Sequence, residues 1–136
     1  MPFKNTGEWH VGTTDGRNFT LLTSEVFECV NGESITIPAG ATSDGASTPP
    51  ELWITIPPFG QYWKAAFLHD YLYRCTQRPK VECDSLLLEA MKSLGVPPLL
   101  ALTIYEGVHE AGQSSFNADR AAQAATAVVY KIAPTI

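Results

Sequence analysis

The spacing of hydrophobic residues divides the chain into a β-rich first part and a helical second part. Residues 26–37 alternate between apolar and polar side chains, which is typical of strands with one buried face. Asn31-Gly32 lies within this stretch and tolerates positive φ at both turn positions, so it predicts a type I′ hairpin. Pro38 ends the second strand because proline has no N–H to donate. Residues 1–24 are expected to be irregular, with one or two short strands.

From residue 61 onwards the apolar residues follow a helical period instead. Four helices are predicted, at about residues 61–74, 81–94, 98 or 99–111, and 116–132. Gly95, which is soon followed by two prolines, ends the second helix, and Gly112 caps the third. Ser114 or Ser115 can start the fourth helix as its N-cap.

A segment rich in Pro and Gly connects the two parts. Residues 41–60 are predicted to be an ordered loop, because Trp53, Ile54 and Ile56 need a place to be buried. The chain of 136 residues is expected to form a single α+β domain. Its parts are a β-rich region with a hairpin (1–40), this loop (41–60), and an antiparallel helix pair followed by two further helices (61–132).

Charge, hydropathy and cysteine content limit the partners and the cellular compartment that we expect for the protein. A net charge of -5, without a cluster of Lys or Arg, argues against nucleic acid as a partner. The N-terminus lacks the apolar core of a signal peptide, and no apolar run is long enough to span a membrane. The three cysteines lack C-x-x-C spacing, so we expect free thiols or at most one bridge, and not a zinc site.

The candidate chemistry is concentrated on the first two helices. His69 and Asp70 are adjacent in an apolar helical run, and adjacent helical residues point about 100° apart, so they serve different centres. A connection of about six residues makes the two helices antiparallel neighbours. Asp84 begins the apolar stripe of the second helix, where a carboxylate needs a partner, and His69 is the available one. Tyr73 lies one turn after His69 on the same face.

This arrangement predicts a general base beside a cation site. A histidine held by a carboxylate has a fixed tautomer and can take a proton from water. Asp70 could join Asp44, in the turn Asp44-Gly45, to form a site rich in oxygen that suits calcium better than zinc. The alternatives are structural: a half-buried core histidine at His69, a turn cap at Asp44, and a helix-dipole carboxylate at Asp84.

Three motifs follow one another in order: TSDGASTP at 42–49, HDYLY at 69–73, and Asp84 with EAM at 89–91. Together they resemble a family of small phage and prophage proteins of unknown function, over residues 35–110. This resemblance implies synthesis in the host cytoplasm, incorporation into the virion and contact with other virion proteins.

The same order of motifs also resembles the bacterial secreted phospholipase A2 family. There, a Ser-Asp-Gly-Cys-Ser loop precedes an Arg-His-Asp-x-x-Tyr-Arg helix, and an Asp and a Met follow on the next helix. The resemblance implies a base (His69) with its orienting partner (Asp84), calcium at Asp44, Gly45 and Asp70, and supporting residues Ser47 and Tyr73. Two cysteines that form a disulfide in that family are Ala46 and Ala66 here, as suits a reducing cytoplasm, and the Arg before the histidine is Leu68.

Two functions are expected from these motifs, and the sequence leaves a third one open. The first is a calcium-dependent hydrolase of esters such as phospholipids, working at a membrane surface. The second is a phage virion component, associated with the tail, that has no catalytic activity. The third is a hydrolase of the host cell wall, although no peptidoglycan-hydrolase motif is present.

Overall fold

A computed structural model describes residues 2–16, 18–43 and 61–132 of the chain, and in the last of these ranges it describes the side chains of residues 62–124. Within these ranges the fold is α+β, as the sequence predicts. Five strands come first: Val11–Gly12 (β1), Phe19–Leu21 (β2), Glu25–Glu28 (β3), Ser34–Ile37 (β4) and Thr42–Ser43 (β5). Four helices follow: Gln61–Cys75 (α1), Lys80–Ser93 (α2), Pro98–Ala111 (α3) and Gln113–Ile132 (α4).

The predicted hairpin is present, but its turn type was predicted wrongly. Strands β3 and β4 pair antiparallel over their full length. Gly32 has a φ of 94° and donates its N–H to Cys29 O at 2.9 Å, while Cys29 N–H donates to Glu33 O at 2.7 Å. Asn31 does not take a positive φ, as a type I′ turn would require. The connection is therefore a three-residue loop that ends in a glycine bulge.

A second sheet has the strand order β1-β2-β5, with antiparallel pairing throughout. Thr42 and Ser43, which we assigned to the loop, form β5 and pair with Thr20 and Phe19. Gly40, at a φ of 96°, turns the chain back toward β2. A strand of two residues has too little pattern to be recognised in the sequence. The rest of the predicted loop, residues 44–60, lies outside the described residues.

The ends of α1, α2 and α3 fall within one residue of their predicted positions, whereas α4 begins three residues earlier than predicted. Gly112 does follow α3 as its cap, but its φ of -82° keeps the right-handed helical conformation. The chain therefore continues directly into α4, and Phe116 N–H donates to Gly112 O at 2.9 Å. Ser114 and Ser115 lie inside the first turn of α4, so their prediction as N-caps was wrong.

Helix α1 is the centre of the fold. It packs against α2, α4 and β5, and its residues 65–70 are all buried. Its last carbonyl groups, which a helix cannot satisfy itself, accept hydrogen bonds from α4: Arg120 donates to Leu72 O at 3.2 Å and to Tyr73 O at 3.1 Å. Because α1 is surrounded, any polar side chain in its middle must find a partner inside the protein. Within the part of the chain that the structure describes, no helix has the length and apolar character needed to cross a membrane.

Candidate functional site

The carboxylate of Asp84 is the point at which three helices meet. It lies in the second turn of α2, on the face that packs against α1 and α3, and is fully buried. Oδ1 contacts His69 Nε2 at 2.8 Å and accepts a hydrogen bond from Tyr73 Oη at 2.6 Å. Oδ2 accepts one from Lys80 Nζ at 2.7 Å and contacts His109 Nδ1 at 3.1 Å. The predicted contact between His69 and Asp84 is therefore present, as part of a larger cluster.

These contacts keep Asp84 ionised. Burial alone would raise the pKa of its carboxyl group, but the hydrogen bonds from His69, Lys80, Tyr73 and His109 outweigh burial and hold that pKa well below its usual range. An ionised carboxylate can only accept hydrogen bonds. Both histidine nitrogens that face Asp84 must therefore carry a proton.

The tautomer of His69 follows from this requirement. With the proton on Nε2, the lone pair of the neutral ring lies on Nδ1, which has no hydrogen-bond partner among the described residues. The side chain of His69 is only 3% exposed. Its ring packs against the ring of Tyr73, with the centroids 4.1 Å apart. The geometry is that of an oriented imidazole with one basic nitrogen in a site shielded from bulk water.

Tyr73 supports this arrangement from the same helix, one turn further along. Burial and the hydrogen bond to Asp84 raise the pKa of its hydroxyl group far above its usual range, so Tyr73 stays protonated and acts as a donor. Phe116 of α4 packs edge-on against the Tyr73 ring at 5.2 Å. Gly112 leaves room for the Tyr73 hydroxyl group, because a Cβ atom there would lie 3.2 Å from Tyr73 Oη and 2.5 Å from Val108 O. Tyr73, which the sequence predicts as a supporting residue, thus donates to the same oxygen of Asp84 that His69 contacts, Oδ1.

Asp70 belongs to a different environment, on the side of α1 that faces β5. It is 6% exposed, and its Oδ2 accepts a hydrogen bond from Ser43 Oγ at 2.5 Å. Arg74, one turn later, donates to Thr42 O and to Thr42 Oγ1, both at 3.1 Å. Asp70 is therefore tied to the strand from which the chain enters residues 44–60.

Three predicted site residues, Asp44, Gly45 and Ser47, lie outside the described residues. Within the described ranges, no group of three or more His, Cys, Asp or Glu side chains could hold a metal ion. Asp70 is the predicted calcium ligand that the structure describes, and the residue bonded to it, Ser43, directly precedes Asp44 in the sequence.

Sequence reasoning missed two members of the Asp84 cluster. Lys80 lies four residues before Asp84 on α2, a spacing that brings side chains together on a helix and could have revealed it. His109 lies on α3, and its approach to Asp84 depends on how α3 packs against α2, for which no local pattern in the sequence gives a signal.

The cysteines offer no nucleophile to this cluster. All three are free thiols, in agreement with one of the two sequence expectations. Cys83 is the nearest in sequence to Asp84, and burial raises the pKa of its thiol to about 11. A thiol with that pKa stays protonated near neutral pH and is a poor nucleophile.

The fold and the Asp84 cluster define a class: a small α+β protein with a histidine–carboxylate pair buried between two adjacent helices. Within this class, the chain belongs to the family described as "Protein of unknown function (DUF1353)", which matches residues 19–108. The matched region includes His69, Tyr73, Lys80 and Asp84, and it ends one residue before His109. No curated protein and no solved structure matches the chain.

Proposed function

We propose that the protein is a hydrolase in which His69 acts as the general base and Asp84 orients it. The observation that carries this proposal is the buried contact of 2.8 Å between His69 Nε2 and Asp84 Oδ1. This contact leaves the lone pair of Nδ1 available for a proton from water.

The reaction that these two side chains support is the attack of water on an ester. His69 Nδ1 takes a proton from water while the water oxygen bonds to the carbonyl carbon, and Asp84 stabilises the imidazolium that forms. The tetrahedral intermediate then expels the alkoxide, which takes the proton back from Nδ1. The products are a carboxylic acid and an alcohol, and both side chains return to their starting protonation states.

Calcium is the proposed cofactor, held by Asp70 together with Asp44 and Gly45. The fit rests on the chemistry of the donors: Asp70 offers a buried carboxylate, and oxygen ligands of this kind are the ones that calcium prefers. The contact of Asp70 with Ser43 joins it to the strand that leads to Asp44. When bound, the ion supplies electrostatic stabilisation of the oxyanion that develops on the substrate.

The proposed substrate is a phospholipid ester at a membrane surface, and the proposed origin of the protein is a phage. Both follow from the resemblance of the three motifs. The side chain of His69 is 3% exposed, so the proposed base is shielded from bulk water.

The test measures the release of fatty acid from phosphatidylcholine vesicles by the wild-type protein and by His69→Gln. Glutamine can place an amide N–H where His69 has Nε2–H, so the variant keeps a donor to Asp84 but has no base. We expect wild-type hydrolysis that stops with a calcium chelator, and a rate at least about a hundredfold lower in the variant.

A melting curve for each protein separates loss of chemistry from loss of fold. A folded His69→Gln variant that hydrolyses vesicles as fast as the wild type would contradict the proposal. Purified peptidoglycan is tested in parallel as a substrate. If the protein cleaves peptidoglycan but not phospholipid, and the cleavage depends on His69, the proposed function becomes hydrolysis of the host cell wall.

One observation favours a structural role for the Asp84 cluster, and together with the resemblance to phage proteins it gives a second candidate, a virion component without catalytic activity. Each oxygen of Asp84 meets two donors, and the donors come from α1, α2 and α3. Such a cluster can be retained to hold three helices together. This reading predicts an inactive protein that co-purifies with assembled phage particles, whereas a soluble protein absent from particles would contradict it.

A further inference from the structure

A second histidine contacts Asp84 from the opposite side of the cluster. His109 Nδ1 lies 3.1 Å from Asp84 Oδ2, and its side chain is 44% exposed, against 3% for that of His69. Because the ionised carboxylate only accepts hydrogen bonds, Nδ1 of His109 carries a proton, and in the neutral ring the lone pair then lies on Nε2. His69 therefore binds the carboxylate through Nε2, and His109 binds it through Nδ1. The side chain of His69 is buried, whereas that of His109 is accessible from solvent.

The ring of His109 is held in a fixed orientation. It stacks on Tyr105, one turn earlier on α3, with the ring centroids 5.6 Å apart and the planes 11° from parallel. Lys80 Nζ donates to the backbone carbonyl of His109 at 2.6 Å and to Asp84 Oδ2 at 2.7 Å. An imidazole fixed by a carboxylate at Nδ1, with Nε2 left for the reacting group, has the orientation that a histidine takes in Ser-His-Asp triads.

We propose that His109 and Asp84 form a second histidine–carboxylate pair, which acts as a general base on small soluble carboxylic esters that arrive from solvent. The pair depends on the geometry of Asp84 and does not require His69 to be a base. Nε2 of His109 takes a proton from water while the water oxygen bonds to the ester carbonyl carbon. The bond from that carbon to the leaving oxygen then breaks, and the leaving oxygen takes the proton from Nε2. Asp84 remains ionised throughout and stabilises the imidazolium.

The chain itself offers a reference for this assignment. His10 is exposed, and its ring makes no hydrogen bond within the described residues, so it reports the behaviour of an ordinary surface imidazole. A difference between His109 and His10 in ring tautomer, or in the effect of substitution on ester hydrolysis, then measures the contribution of the contact with Asp84.

The first measurement is the ring tautomer of each histidine, from two-bond and three-bond proton–nitrogen correlations on protein labelled with nitrogen-15. We expect the proton on Nδ1 in neutral His109, the proton on Nε2 in neutral His69, and a mixture in His10. Finding the proton of neutral His109 on Nε2 would overturn the proposal, because the ring could then not donate to Asp84.

The second measurement is the hydrolysis of p-nitrophenyl acetate by the wild-type protein, His109→Asn and His10→Asn. Asparagine can place an N–H near the position of Nδ1, so His109→Asn keeps a donor to Asp84 and lacks the base. We expect a rate lower by about tenfold or more in His109→Asn and no change in His10→Asn. An equal rate in the wild type and in folded His109→Asn, or a wild-type rate no higher than that of free imidazole, overturns the second pair.

The same variants separate this proposal from the one for His69. His69→Gln is tested on p-nitrophenyl acetate and His109→Asn on phosphatidylcholine vesicles. Loss of p-nitrophenyl acetate hydrolysis in His69→Gln but not in His109→Asn assigns that activity to His69 and overturns the second pair. Vesicle hydrolysis that depends on His69 alone, together with p-nitrophenyl acetate hydrolysis that depends on His109, supports both proposals independently.

Discussion

The two buried carboxylates of the candidate site, Asp84 and Asp70, are held in different ways. Asp84 meets four donors from three helices, and one of them, Lys80, brings a positive charge of its own. Asp70 is tied by the hydroxyl group of Ser43 to the short strand that leads into residues 44–60. At Asp84 the contacts that join three helices also orient the proposed base His69, whereas Asp70 is bonded to a short strand beside the proposed calcium site. Asp84 should therefore dominate stability, and Asp70 should dominate the response to calcium.

The largest expected effect is the loss of stability in Asp84→Ala. Removing one partner of a buried ion pair leaves the other uncompensated, which costs about 3–5 kcal/mol. All four donors, which are Lys80, Tyr73 and the two histidines, would lose this carboxylate together. Since the total stability of such a domain is about 5–15 kcal/mol, urea unfolding should show that Asp84→Ala is barely stable or already unfolded without urea.

Glu82→Ala is the matched control, because it removes a carboxylate from the neighbouring turn of α2. Glu82 pairs with Arg78 at 2.7 Å, and its side chain is 47% exposed, so the loss should be at most about 1 kcal/mol. Equal losses in the two variants would show that the Asp84 cluster does not hold the helices together.

Lowering the pH should remove most of the stabilisation that Asp84 contributes to the folded protein. The pKa of Asp84 is lower in the folded protein than in the unfolded chain, where it is about 3.9, so its contribution is fully present above that pH. The contribution is lost as the pH falls further, toward the lowered pKa of the folded state. Urea unfolding between pH 6 and pH 2 should therefore show a steep acid loss in the wild type and a flatter profile in Asp84→Asn. Parallel profiles for the two proteins would contradict the lowered pKa.

The parts of the site that sequence could predict are those set by local periodicity and by burial. A carboxylate at the head of an apolar stripe must find a partner, and a short connection between two helices left His69 as the candidate; the structure has this contact at 2.8 Å. Glycine followed by proline likewise marked the end of α2, because both residues act through the local backbone.

The features that sequence missed depend on tertiary packing. His109 reaches Asp84 only because α3 returns along α2. β5 is a strand only because β2 lies beside it, and Gly112 gives no local sign that it keeps a right-handed backbone. The turn at Asn31-Gly32 was misjudged for a related reason: the pairing register fixes the loop length, and the dipeptide alone does not.

A smaller effect is expected at Asp70, where substitution should abolish the stabilisation of the folded protein by calcium. A ligand that binds only the folded state at a hundredfold excess over its Kd stabilises the protein by about 2.7 kcal/mol, which raises the melting temperature. We expect this rise in the wild type, its reversal by chelator and its absence in Asp70→Asn. Melting curves with calcium, magnesium or zinc, each against chelator, provide the measurement.

Glu106→Gln is the control for charge alone, since Glu106 is an exposed carboxylate on α3. It should keep the full response to calcium. The calcium assignment fails if the wild type responds to none of the three ions, or if Asp70→Asn responds as strongly as the wild type does.

The smallest effects come from removing one hydroxyl donor from each carboxylate. Tyr73→Phe deletes the 2.6 Å bond to Asp84, and Ser43→Ala deletes the 2.5 Å bond to Asp70. A hydrogen bond to a charged group contributes about 1.5–3 kcal/mol, so urea unfolding should show both variants destabilised by a similar amount, near the lower end of that range. Calcium should then separate them: Tyr73→Phe keeps the full rise in melting temperature, whereas Ser43→Ala shows a smaller rise because Asp70 loses its hydrogen bond from β5. If both variants kept the same response to calcium, the contact with Ser43 would have no part in orienting Asp70, and the distinction between the two carboxylates would rest on stability alone.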